Sequence, residues 1–198
     1  MAKKKDIKEL VMEWPVTYDM YAQLPDDGKR YEVLDGVLEL MSPGPAAPHQ
    51  LVGGALYMLM QSCCSSDYEV FMAPLDVILS PTNVVQPDLI LVHRSRLDIV
   101  KLRGIEGAPD LVVEVLSPGS RKRDRVRKAA IYARHGVPEY WIVDAQAGTL
   151  EQYTLENGQY VPGNLFEGED KVVSDKLPCA SFAVGELFRN PLIRKLLS

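Results

Sequence analysis

The sequence predicts an α/β protein with a mixed central β-sheet, and two observations carry that prediction. The order strand, helix, strand runs from Leu111 to Asp144, and such a unit joins parallel strands through a right-handed crossover. Two dipeptides, Asp35-Gly36 and Asn157-Gly158, each stand between segments of strand character. Pairs of this kind are the strongest short signal for a two-residue hairpin, so they imply antiparallel neighbours.

Taken in order, Thr17 to Leu24 reads as a short helix opened by a Thr cap and stopped by Pro25-Asp26-Asp27-Gly28. Arg30 to Leu34 and Val37 to Met41 are the arms of the first hairpin, with Glu32 on the first arm. After the breaker-rich loop Ser42 to Pro48, Leu51, Ala55, Leu56, Leu59 and Met60 recur at helical spacing and predict a helix from about His49 to Ser62. Tyr68 to Ala73, Leu75 to Leu79 and Asp88 to Val92 read as strands, with Pro81-Thr82-Asn83 as a turn. Arg94 to Gly107 is polar and ambiguous. Leu111 to Leu116 is an apolar strand, and Ser120 to His135 is a helix closed by Gly136 and Pro138. Glu139 to Asp144 is the next strand, Thr149 to Leu155 and Gln159 to Pro162 form the second hairpin, and Leu187-Phe188 begins a short terminal helix.

A chain of 198 residues, 46% hydrophobic and 25% charged, buries one substantial core and is read as a single domain over 1–198, with 1–14 as a flexible N-terminal segment. A net charge of -5 argues against coating nucleic acid by bulk attraction and leaves room for a local basic stripe. Cys63, Cys64 and Cys179 make neither a CxxC pair nor an even disulfide framework, so a reducing cytoplasm is the expected compartment. Lys8, Glu9 and Glu13 interrupt the segment after the basic start, so no signal peptide is expected. The weakly polar stretch Leu51 to Met60 is far short of the ~20 residues a membrane span needs, and no membrane association is expected.

The chemistry centres on a carboxylate inside an apolar strand. Asp110-Leu111-Val112-Val113-Glu114-Val115-Leu116 belongs in a buried sheet, where an ionised Glu costs several kcal/mol unless a cation or donors meet it. Gln86-Pro87-Asp88 sets a second acid at the mouth of another apolar strand, and the helix after Glu114 carries Lys128. Two acids and a lysine suit metal-assisted phosphodiester hydrolysis, because hard divalent cations take carboxylate and carbonyl oxygens.

Each residue also has an ordinary structural role open to it. Asp88 is what a turn after proline often carries. Lys128 lies four residues after Asp124, as in a helix-surface ion pair. Glu32 suits an exposed strand position, His49 a surface helix end, and Tyr132, Tyr140 and Trp141 the core. Arg121, Lys122, Arg123, Arg125, Arg127 and Lys128 form a basic run that reads either as a solvated face or as a phosphate-holding surface.

Pro87-Asp88 followed by Glu114 and a nearby basic residue resembles the PD-(D/E)xK nuclease superfamily. More closely, RYEVLDGVLELMSPG, VVQPDLILV and PDLVVEVLSPGSRKRDRVRKAAIYARHGVPEYWIVD are similar to the Uma-type family of restriction endonucleases. Leu116 stands two residues after Glu114, where the superfamily pattern has its lysine. The resemblance implies that this lysine has moved to the following helix, as Lys128. It further implies a restriction-endonuclease-like fold, a mixed central sheet flanked by helices with hairpin additions, and Mg²⁺- or Mn²⁺-dependent hydrolysis of DNA. Asp88, Glu114 and the Val115 carbonyl would be metal ligands, Lys128 the phosphate or water partner, and Glu32 a further acid near the site. A symmetric homodimer is the default for cutting a duplex. Two other readings stay open: a nuclease-derived module that binds nucleic acid or protein without cutting, and a hydrolase of smaller phosphorylated substrates.

Overall fold

The computed structural model describes residues 14–41 and 46–197. The N-terminal segment 1–14, expected to be flexible, lies outside the described residues except for Trp14, as do residues 42–45 of the breaker-rich loop.

A short helix α1 (Tyr18–Tyr21) leads to the hairpin β1 (Tyr31–Leu34) and β2 (Val37–Leu40). Its turn has positive φ at both central residues, 51° at Asp35 and 74° at Gly36, the handedness that matches the twist of the strands it joins. A Cβ on Gly36 would also meet the Pro15 Cβ at 2.7 Å. Helix α2 (Ala47–Cys64) is followed by β3 (Tyr68–Met72), β4 (Asp76–Ser80), β5 (Asn83–Val85) and β6 (Leu89–His93). The ambiguous stretch resolves into a 3₁₀ turn, Arg94–Ile99, and a small hairpin, β7 (Val100–Lys101) and β8 (Gly104–Glu106). Then come β9 (Leu111–Val115), a π-helical segment Arg123–Lys128 running into α3 (Ala129–Arg134), and β10 (Glu139–Asp144). The long hairpin β11 (Thr149–Glu156) and β12 (Gln159–Glu167), the pair β13 (Lys171–Val172) and β14 (Phe182–Ala183), and α4 (Pro191–Leu197) complete the chain.

Two six-stranded mixed sheets result. One has the order β12-β11-β10-β9-β6-β3 and the other β2-β1-β5-β4-β8-β7. In the first, β9 and β10 pair in parallel, as the crossover requires; in the second, β4 and β8 do. Of the two expected hairpins, β1-β2 builds a second sheet with β4, β5, β7 and β8, while β11-β12 extends the sheet that holds β9 and β10.

Strand β9 is buried on both faces, which explains its unbroken apolar character. Leu111, Val113 and Val115 pack with Val52, Leu56 and Met60 of α2. Val112 and Leu116 face the other way, into a layer filled by Leu34, Val77 and Ile105 of the second sheet and by Ile131 and Tyr132 of α3. Glu114 shares that second face by the two-residue period of a strand. Its carboxylate is therefore aimed between the sheets, where β1 and the π-helical segment also converge.

Cys64, at the end of α2, forms a disulfide with Cys179, 115 positions later, a pairing that the odd number and the spacing of the cysteines did not suggest. Pairing depends on Cα proximity, here 5.0 Å, rather than on spacing in sequence. Cys63 stays a free thiol, with its Sγ 3.6 Å from that of Cys64. The cysteines consequently no longer argue for one redox compartment. Among the described residues no helix is long and apolar enough to cross a membrane.

Candidate active site

Glu32, Glu114 and Lys128 meet in the layer between the sheets. The Lys128 ammonium lies 2.5 Å from Glu114 Oε1 and 2.9 Å from Glu32 Oε1, and all three side chains are shut off from solvent. The Tyr132 hydroxyl donates to the same Glu114 oxygen at 2.7 Å, and the Gln86 backbone N–H donates to Glu32 Oε1 at 2.8 Å. Lys128 is therefore no helix-surface residue, and Tyr132 does more than fill the core.

One turn earlier, Asp124 is 2% exposed. The π-helical segment sets Asp124 and Lys128 on one side, and the Tyr140 hydroxyl fastens it by donating to the Asp124 carbonyl at 3.1 Å. Segments of this kind recur at functional sites.

Asp88 enters from the start of β6. Its Oδ2 accepts the Val115 N–H at 2.8 Å and stands 3.1 Å from His49 Nε2. His49 is accordingly a partly buried partner of Asp88 and not a surface histidine. Asp88, Glu114, Val115, Asp124 and Lys128 line one cavity of about 200 Å³, together with Arg30, His49 and Arg123. The sequence-predicted residues Asp88, Glu114, Val115 and Lys128 thus border a common space, and Glu32 stands behind Lys128. The sequence does not single out Asp124 or Arg30, shows Arg123 only as one member of the basic run, and presents His49 as a surface helix end. Asp124 and Arg123 were masked by the surrounding run of alternating charges.

The electrostatics follow from burial. Desolvation pushes the Glu114 carboxyl well above the ordinary range; Lys128 pulls against it, while Asp124, Asp88 and Glu32 add to the rise. Burial also raises Asp124, opposed by Lys128. For Lys128, burial acts downward, but Glu114 and Glu32 outweigh it and hold the ammonium protonated. Glu32, Glu114, Asp88 and Asp124 bring four carboxyls to this region, set against Lys128, Arg123 beside Asp124, and Arg30 on the same cavity wall. Glu32 Oε2 is buried with no hydrogen-bond partner among the described residues, which ordinarily costs about 1–3 kcal/mol or more when charged; Asp124 Oδ1 faces Arg123 Nε at 3.5 Å.

Clustered carboxyl oxygens of this kind are the donors that a hard divalent cation takes. Among the described residues no three His, Cys, Asp or Glu side chains are grouped so as to hold a metal by themselves. Two carboxylates and a backbone carbonyl fit Mg²⁺ or Mn²⁺ nonetheless, because Mg²⁺ keeps several waters and is bound through one or two carboxylates.

The comparisons with known proteins agree with this architecture. A solved structure described as a putative nuclease belonging to DUF820, from Anabaena variabilis, is similar in fold, with a TM-score of 0.71 and 20% identity over 88% of this chain and 98% of its own. No curated protein matches the chain. The family model Uma2, putative restriction endonuclease, matches residues 18–185. The chain belongs to the Uma2 family of putative restriction endonucleases.

Proposed function

We propose that this protein is a divalent-metal-dependent endonuclease that hydrolyses DNA phosphodiester bonds at the cavity bordered by Asp88 and Glu114. The observation that carries the reading is that Asp88, Glu114 and Asp124 border one cavity, with the Asp88 carboxylate hydrogen-bonded to the backbone of the residue after Glu114.

Asp88, Glu114 and the Val115 carbonyl would hold Mg²⁺ or Mn²⁺, which when bound polarises a phosphate and lowers the pKa of an attacking water. Lys128 orients Glu114 and opposes the rise that burial imposes on its carboxyl. Glu32 fixes Lys128 from behind, and Tyr132 fixes Glu114 from the other side. His49 orients Asp88. Arg123 and Arg30, both on the cavity wall, face the entering phosphate, an electrostatic contribution of preorganised charge. The overall charge of -5 confines this attraction to the site.

Nicking of supercoiled plasmid in Mn²⁺, abolished by chelation and by Asp88→Asn, tests the proposal. The neutralisation of Lys128 by two acids favours one second reading, a nuclease-derived module that binds DNA without cutting. Salt-dependent DNA binding with no cleavage in any divalent ion would establish that reading instead.

A further inference from the structure

A second cavity, of about 350 Å³, adjoins the acidic one, and Arg30 and Gln86 line both. Its polar wall is held by a defined network. Gln86 Oε1 accepts from Arg30 Nε and Nη2 at 2.9 and 2.7 Å. Gln86 Nε2 donates to Asp76 Oδ1 at 2.8 Å, and the Tyr21 hydroxyl donates to the same oxygen at 3.0 Å. Both bonds to Asp76 end on Oδ1, so Oδ2 is not used by either. Tyr18, Tyr21 and Tyr31 supply aromatic surface, the first two with ring centroids 6.3 Å apart and tilted by 30°. Lys29 and Arg103 stand at the rim, Arg103 on the exposed turn between β7 and β8.

This combination selects its ligand class. Aromatic faces favour a flat ring system, and a base stacked on such a face gains on the order of 1–3 kcal/mol. A carboxylate held in place by Gln86 and Tyr21 accepts N–H donors and repels anions. Cations at the rim suit a phosphate. An apolar ligand would strip water from Asp76 and Gln86 without replacing it. The volume lies near the lower end of small-molecule sites, roughly 300–1,000 Å³, which suits one nucleotide.

We infer that this cavity receives the base of a single unpaired nucleotide adjoining the phosphodiester at Asp88 and Glu114, with guanine preferred because its adjacent N1–H and N2–H₂ donors can converge on Asp76 Oδ2, the oxygen that Gln86 and Tyr21 leave. The word "adjoining" rests on the nuclease reading; base binding itself does not. A paired, stacked base cannot enter, so the substrate is single-stranded or has a nucleotide turned out of its helix.

The test is calorimetric titration of the full chain with dGMP, dAMP, dCMP and dTMP in EDTA, so that no divalent ion or cleavage enters. Saturable one-to-one binding of dGMP is expected, at least tenfold tighter than dTMP. Asp76→Asn should remove that preference. Tyr18→Ala should weaken all four nucleotides by about tenfold. Arg103→Ala, at an exposed turn where folding is not at stake, should weaken dGMP and leave deoxyguanosine unchanged. Plasmid or single-strand cleavage in Mn²⁺ without saturable dGMP binding overturns this inference while the nuclease reading stands. Binding of dGMP that Asp76→Asn reduces, in a protein that cleaves nothing, keeps the assignment and removes the nuclease. Equal affinity for all four nucleotides, indifferent to Asp76→Asn, also overturns it.

Discussion

Lys128 and Glu114 form a buried ion pair at the wall of the acidic cavity, with 2.5 Å between Nζ and Oε1. The pair is not isolated, since Glu32 shares the ammonium. Breaking it should therefore affect the fold as well as the chemistry.

Lys128→Met leaves two buried carboxylates without their cation, and losses of about 3–5 kcal/mol are usual when one partner of a buried pair is removed. Urea denaturation should show a loss of that size, recovered only in part in the double variant Glu32→Leu/Lys128→Met, which still leaves Glu114 without its cation. Lys122→Ala, at an exposed position, should change nothing. A Lys128→Met protein as stable as wild type would mean that the pair is not structural.

Glu114→Gln keeps Lys128 paired with Glu32 and removes one negative charge from a crowded site. The apo protein should melt at the wild-type temperature or above, because the carboxyl it replaces is strongly raised by burial. Millimolar Mn²⁺ should raise the melting temperature of wild type and not of the variant. An equal Mn²⁺ shift in both would exclude Glu114 as a ligand.

Arg125 grips Glu151 with two N–H···O bonds of 2.5 Å and holds its carboxyl below the ordinary range, against a smaller opposing effect of burial. A carboxyl depressed in the folded state stabilises above its unfolded pKa, near 4.3, and that contribution fades as pH falls through the folded value. Glu151→Gln should therefore cost about 0.5–1 kcal/mol at pH 7, the range for a part-exposed pair. At pH 3 the urea midpoints of variant and wild type should draw together. A gap that does not change with pH would contradict this.

The disulfide makes a prediction about counting. Native protein should react with a thiol reagent at Cys63 alone, and reduced, unfolded protein at all three cysteines. Reduction should also lower the melting temperature, since closing a loop of about 100 residues is worth up to roughly 4.7 kcal/mol in the chain-entropy account. Three titratable thiols in the native chain would refute the pairing.

Local chemistry made much of this molecule readable. Asp35-Gly36 and Asn157-Gly158 both take the positive φ that two-residue hairpins need, and the apolar run at Leu111 fixed a strand buried on both faces. Glu114 was conspicuous because a lone acid in such a run needs a partner. The second sheet was harder to see because β5, β7 and β8 are only two or three residues long, too short for periodicity to register. Nothing near Glu32 announces that it meets a lysine 96 positions away, and His49 looked like any polar residue at a helix start. Long-range pairing leaves no local pattern, and Cys64 with Cys179 escaped for the same reason.

The 96 positions between Glu32 and Lys128 also have a meaning in time. Synthesis runs from the N-terminus at about 5–20 residues per second, so Glu32 emerges some 5–20 seconds before its cation exists. Glu32 waits alone at first on the nascent chain; Asp88 and then Glu114 join it as further acids before Lys128 is made. The acidic cavity closes only once the ribosome has delivered the helix carrying Lys128, so the unfinished polypeptide carries the carboxylates without the fixed geometry that would let them act together.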